Sequence, residues 1–69
     1  MVYVFKTSVK YNYQIKEIGF QLNSIIQIDK WNFDLQDCDN ILRIEATNLD
    51  TQIICKLFTS LNYNCIELF

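Results

Sequence analysis

Residues 28–46 read Ile28-Asp29-Lys30-Trp31-Asn32-Phe33-Asp34-Leu35-Gln36-Asp37-Cys38-Asp39-Asn40-Ile41-Leu42-Arg43-Ile44-Glu45-Ala46. Two alternating runs flank a polar turn. Over 28–35, Trp31, Phe33 and Leu35 point one way while Lys30, Asn32 and Asp34 point the other, the period-2 pattern of a half-buried strand. Over 41–46, Leu42, Ile44 and Ala46 turn inward, Arg43 and Glu45 outward. Residues 36–40 carry turn chemistry, since Asp and Asn tolerate left-handed backbone angles. The stretch therefore predicts a β-hairpin.

Upstream of the hairpin, Ile15, Ile18, Leu22 and Ile25 recur at helical spacing, with Lys16, Glu17 and Asn23 on other faces. This predicts an amphipathic helix over 13–24, with Phe20 at its flank. Gly19 inside it costs about 1 kcal/mol relative to Ala, which points to a packing contact that needs a glycine. Residues 2–9, VYVFKTSV, are β-branched and aromatic and predict a strand. Val2 and Val4 fall on one parity, Tyr3 and Phe5 on the other, so a central strand with partial cover on both sides is expected.

Downstream, Asn48 or Asp50 offers a helix N-cap. Ile54, Leu57, Phe58 and Leu61 mark a second amphipathic helix with Gln52, Lys56 and Thr59 facing water. Asn62 follows where a helix often ends in a left-handed residue. A final strand over 63–69 completes the order β-α-β-β-α-β. That order predicts an α+β ferredoxin-like sandwich: a four-stranded antiparallel sheet with both helices on one face. The first and third strands lie in its middle, and 28–35 and 63–69 form its edges.

A length of 69 residues allows one domain, 1–69, and the 51% hydrophobic and 14% aromatic content excludes disorder. The net charge is −2 and the basic residues are scattered singly, which excludes a phosphate-tracking nucleic-acid surface. No apolar run approaches the roughly 20 residues of a membrane span, and no basic-then-apolar leader follows Met1. A cytoplasmic protein is expected. Histidine is absent, no glycine-rich phosphate loop occurs, and no Ser or Cys stands beside an evident base, so neither an enzyme nor a cofactor is expected. Cys38, Cys55 and Cys65 form no C-x-x-C pair; reduced, mutually independent thiols are expected, two as core filler and Cys38 in the polar turn. Asp37 and Asp39 read as solvated turn residues.

The chain resembles the heavy-metal-associated domain family, the small copper chaperones and related modules of metal-transporting ATPases. The resemblance rests on Phe5-Lys6-Thr7-Ser8-Val9-Lys10 entering the first helix, on Ile28-Asp29-Lys30-Trp31-Asn32-Phe33-Asp34-Leu35 as the second strand, and on Leu61-Asn62-Tyr63 after the second helix. In that family two cysteines three apart hold one soft ion. Here Tyr11 and Gln14 occupy those positions, a phenol and a neutral amide in place of thiolates. The resemblance thus implies a domain whose metal ligands are lost. It also implies that Tyr63 lies near the old metal loop, where Tyr11 and Tyr13 would join it beside Lys10; the phenols either seal the end of the core or, as aromatics with polar tips, form a protein-interaction surface. The alternative is a divergent copper or zinc carrier using Cys38 or Cys65. A small-molecule sensor is a third reading, and homodimers through the sheet edges are a further partner expectation.

Overall fold

The computed structural model describes residues 1–36 and 39–68. The elements are β1 (Val2–Thr7), α1 (Asn12–Leu22), β2 (Ile28–Asp34), β3 (Ile41–Ala46), α2 (Thr51–Ser60) and β4 (Cys65–Glu67). The strands form one antiparallel sheet in the order β2-β3-β1-β4, so β1 and β3 are central and β2 and β4 are edges. This is the ferredoxin-like arrangement. No helix among the described residues is long and apolar enough to cross a membrane.

One face of the sheet meets both helices. Phe5 from β1 and Leu42, Ile44 and Ala46 from β3 pack in a single buried cluster with Ile18 and Leu22 of α1 and Ile54 and Phe58 of α2. The other face carries Lys30, Asn32, Arg43 and Glu45 and stays open. Cover on that side of β1 is partial, as expected: Val4 is half-buried, while Val2 towards the end of the strand is 56% exposed. Ile41 is buried on the open side, in register between Lys6 and Asp34. Lys6 pairs with Asp39 at 3.5 Å and Arg43 with Asp34 at 3.8 Å. The side chains of these pairs are about half exposed, and ion pairs open to water add little stability.

Element ends move for local reasons. Gln36 donates its N–H to the Asp34 carboxylate at 3.2 Å, an Asx-type turn that closes β2 at Asp34 and leaves Leu35 outside it. β2 also bulges at Asp29, since Ile28 faces Ala46 while Lys30 faces Glu45. Strict alternation would turn Ile28 outward; the extra residue returns it to the core side, where it packs half-buried. α1 ends at Leu22 because Ser24 and Ile25 donate to Gln21 and Leu22, three residues back, at 3.1 Å each. α2 is capped by Asp50, whose carboxylate accepts from Gln52 at 3.0 Å. Leu49 and Ile54 stand at the positions of a hydrophobic staple, and both are buried.

The last strand starts at Cys65 and not at Tyr63, because α2 ends in a Schellman motif. Asn62 is left-handed (φ 66°), Tyr63 donates to Phe58 at 2.8 Å, and Asn62 donates to Thr59 at 3.0 Å. The Tyr63 ring meets the Phe58 ring edge-on at 6.4 Å, the apolar contact that accompanies this motif. Phe69 lies outside the described residues.

Gly19 has the packing contact that its cost implies. A Cβ built there would lie 2.5 Å from Cη2 and 2.6 Å from Cζ2 of Trp31. The indole is not free to retreat: its Nε1 donates to Asn23 Oδ1 at 2.8 Å and its ring sits edge-on to Phe33 at 6.1 Å. Gly19→Ala is therefore expected to destabilise by roughly 1–2 kcal/mol, overpacking outweighing the helix-propensity gain. Combined with Trp31→Leu, the same change is expected to stabilise. Urea unfolding of the four proteins decides the matter, and a stabilising Gly19→Ala in the wild-type background would refute the clash.

Candidate functional site

The segment from Thr7 to Gln14 is anchored at both ends. Thr7 is buried, and its hydroxyl donates to the Asn40 carbonyl at 2.7 Å while accepting from the Val9 N–H at 3.3 Å. That local bond takes Val9 out of the β1 ladder, so β1 ends at Thr7 although Val9 itself is fully buried. Ser8 is tied to Asn64 in both directions: its N–H donates to the Asn64 carbonyl at 3.2 Å, and its Oγ accepts from the Asn64 N–H at 2.9 Å. This pair draws the stretch bearing Tyr63 against the first loop.

Tyr11 is the N-cap of α1, in extended conformation (φ −124°, ψ 151°). Gln14, three residues on, reaches back: its Oε1 accepts from the N–H of Lys10 at 2.8 Å and of Tyr11 at 3.0 Å. This is the glutamine arm of a capping box, which satisfies two donors outside the helical ladder. The rings of Tyr11 and Tyr13 stack at 5.8 Å, 6° from parallel, and the residues are 57% and 66% exposed. Lys10 is exposed beside them. Tyr63 is half-buried behind them. Its phenol is held above the ordinary value, first by partial withdrawal from water, then by the Glu17 carboxylate and the Tyr13 phenol. A hydrogen bond with Gln14 acts in the opposite direction, and one with Glu17 reinforces the rise. The four residues of the expected interaction surface thus share one end of the domain.

Tyr11 and Gln14, where the resemblance would put two thiolate ligands, do not fit a soft metal. Both lone pairs of the Gln14 carbonyl oxygen are engaged by backbone donors, and Tyr11 directs its ring onto Tyr13. Among the described residues no cluster of three or more Cys, Asp or Glu side chains could hold a metal ion. Cys38 and Asp37 lie outside the described residues. Asp39 is engaged by Lys6.

The expectation of mutually independent thiols is wrong for Cys55 and Cys65. Their sulfurs lie 3.8 Å apart, both half-buried. Cys65 is in register with the buried Thr7, and cross-strand partners share a face, so it looks toward the helices and meets α2. The clue was present in the parity of the last strand, but it becomes usable only once the β1–β4 register is known. Sequence reading also missed a shallow groove beside Gly19, lined by Ile15, Phe20 and Trp31 with Lys16 at its rim. Phe20, expected at the flank, is 80% exposed there.

No protein-family model matches the chain, and no curated protein or solved structure matches it.

Gln14→Ala is expected to cost about 1 kcal/mol in denaturant unfolding, while Gln14→Glu, the other residue of the capping box, keeps most of that stability. Equal losses for both would show that the amide does not cap. Tyr63 sets a pH dependence. Its folded value lies above the 10.0 of a free phenol, so its stabilising contribution is complete below pH 10 and is lost as pH climbs through the folded value. Thermal midpoints measured across the alkaline range are expected to fall less steeply for Tyr63→Phe than for the wild type.

Proposed function

We propose that the chain is a non-catalytic, cytoplasmic protein-interaction module on a copper-chaperone-like scaffold. In this reading the metal loop has been rebuilt as a docking surface of Lys10, Tyr11 and Tyr13, with Tyr63 as its inner wall. One observation carries it: two phenol rings stack in parallel with more than half of each residue in water. Tyrosines that only sealed the end of the core would be covered. Stacked and exposed, they offer rigid apolar area with polar tips, the chemistry that interfaces favour. The caps from Gln14 and the Ser8–Asn64 bonds fix the backbone beneath them, which lowers the ordering cost of binding.

The sheet edges are weaker docking candidates. β4 has only three residues, and β2 carries the Asp29 bulge and Lys30, devices that discourage strand addition. The rival metal-carrier reading requires a thiol ligand, and the closeness of Cys55 to Cys65 is the observation in its favour.

Titration with Cu(I) under reducing conditions, followed by native mass spectrometry, is expected to give no stoichiometric complex. One-to-one uptake abolished by Cys65→Ser would replace this reading with the carrier; tight uptake surviving loss of every cysteine would sink it altogether. The partner arm compares proteins crosslinked to the wild type and to Tyr11→Ala/Tyr13→Ala. The double variant is expected to keep its thermal midpoint and to weaken its partner by roughly 30-fold or more, the effect of losing interface hot spots.

A further inference from the structure

Cys55 sits in the middle of α2 and Cys65 opens β4, ten residues later in the chain. Both are held from more than one direction. The Cys55 carbonyl accepts from the Thr59 hydroxyl at 2.9 Å within the helix. Cys65 is paired with Thr7 of the central strand β1, and the chain between the two thiols passes through the Schellman turn at Asn62. The sulfurs therefore meet by construction of the fold. A disulfide bond measures about 2.05 Å, so a displacement of under about 2 Å separates this contact from a covalent link. Neither thiol is fully enclosed, so a small reagent can reach the pair.

We infer that Cys55 and Cys65 form an oxidative modification site, which closes to an intramolecular disulfide on reaction with a low-molecular-weight disulfide. One thiol loses its proton and attacks a sulfur of the reagent. The reagent's S–S bond breaks, and the departing thiolate takes up a proton as a free small thiol. The second protein thiol then attacks the mixed disulfide, forming the Cys55–Cys65 bond and releasing the second small thiol. The protein loses two electrons and two protons, and both pass to the reagent. The pair is a poorer match for a resident metal, since no third ligand joins it among the described residues. Burial, then the neighbouring Cys55 and Glu67, hold the Cys65 thiol well above its ordinary value. Exchange should therefore quicken as pH rises.

The bond would close a ring that contains Phe58, the left-handed Asn62 and Tyr63. Oxidation would pin the short edge strand β4 to α2 and fix the turn that carries Tyr63.

The test uses the full chain carrying Cys38→Ser, so that only this pair can react, incubated under native conditions with oxidised glutathione. Expected is a product lighter by two hydrogen atoms, with no glutathione retained, restored by dithiothreitol and shifted upward in thermal midpoint. Cys38→Ser/Cys55→Ser and Cys38→Ser/Cys65→Ser should each keep one glutathione, with circular dichroism confirming that both are folded. Two stable adducts on the Cys38→Ser protein, disulfide-linked dimers, or reaction only after urea unfolding would each overturn the assignment.

Discussion

A file of aromatic rings crosses the interior, and the rest of the domain is arranged around it. Trp31 and Phe33 follow each other on the inner face of β2, Phe33 meets Phe58 of α2, and Phe58 meets Tyr63 just beyond the helix. The centroids are 6.1, 6.5 and 6.4 Å apart; the Trp31–Phe33 and Phe58–Tyr63 contacts are edge-to-face, the geometry that aromatic quadrupoles favour, and Phe33 lies tilted at 45° to Phe58 between them. Each end of the file demands a residue of special freedom. At the Trp31 end α1 can come this close only because position 19 has no side chain. At the Tyr63 end the chain must turn left-handed at Asn62 to lay the phenol on Phe58. The height of α1 above the sheet and the direction in which the chain enters β4 follow from those two constraints.

Much of this was legible in the residues alone. Alternation placed Trp31 on the inner face, and the helical stripe placed Gly19 beside Ile18. A glycine in mid-helix is a local conflict, and a large ring opposite it is the resolution. The left-handed Asn62, and a cap at Asn48 or Asp50, were readable for the same reason, because both are chemistry of a few adjacent residues; the structure puts the cap at Asp50 and leaves Asn48 left-handed in the turn before it. What escaped depends on register. The bulge at Asp29 reverses the parity of Ile28, and no period-2 reading of 28–35 shows where an extra residue enters. Ile41 is buried on the open face, which its alternation with Leu42 argues against. The thiols looked unrelated because spacing along the chain, not pairing across it, was the only measure at hand.

The loop between β1 and α1 gains a different meaning once Gln14 is placed. By resemblance to the metal-binding family, positions 11 and 14 are where two thiolates would draw loop and helix together around an ion. Here the same two positions are joined by a hydrogen bond from the Tyr11 backbone to the Gln14 amide, with Lys10 as a second donor. The exchange is physically coherent. A thiolate at the third helical position is a soft ligand and a poor acceptor for backbone N–H groups, whereas an amide oxygen is the reverse. One atom cannot serve both purposes, and Gln14 serves the second, keeping the loop ordered through its two backbone donors.

The arrangement also separates the tyrosines by role. Tyr63 follows a Schellman turn, lies against Phe58 and packs on the core cluster, so its ring is a consequence of how α2 ends. Tyr11 and Tyr13 pack on each other and lie outside that cluster, so the fold would lose little without them. The backbone beneath the stacked pair is nonetheless ordered by the Gln14 cap, so both rings are presented to water in a fixed arrangement. Tyr63 lies between Cys55 and Cys65 in the chain, and the exposed pair does not. A change in the state of the thiols would therefore act on the turn that carries Tyr63 and leave Tyr11 and Tyr13 chemically untouched.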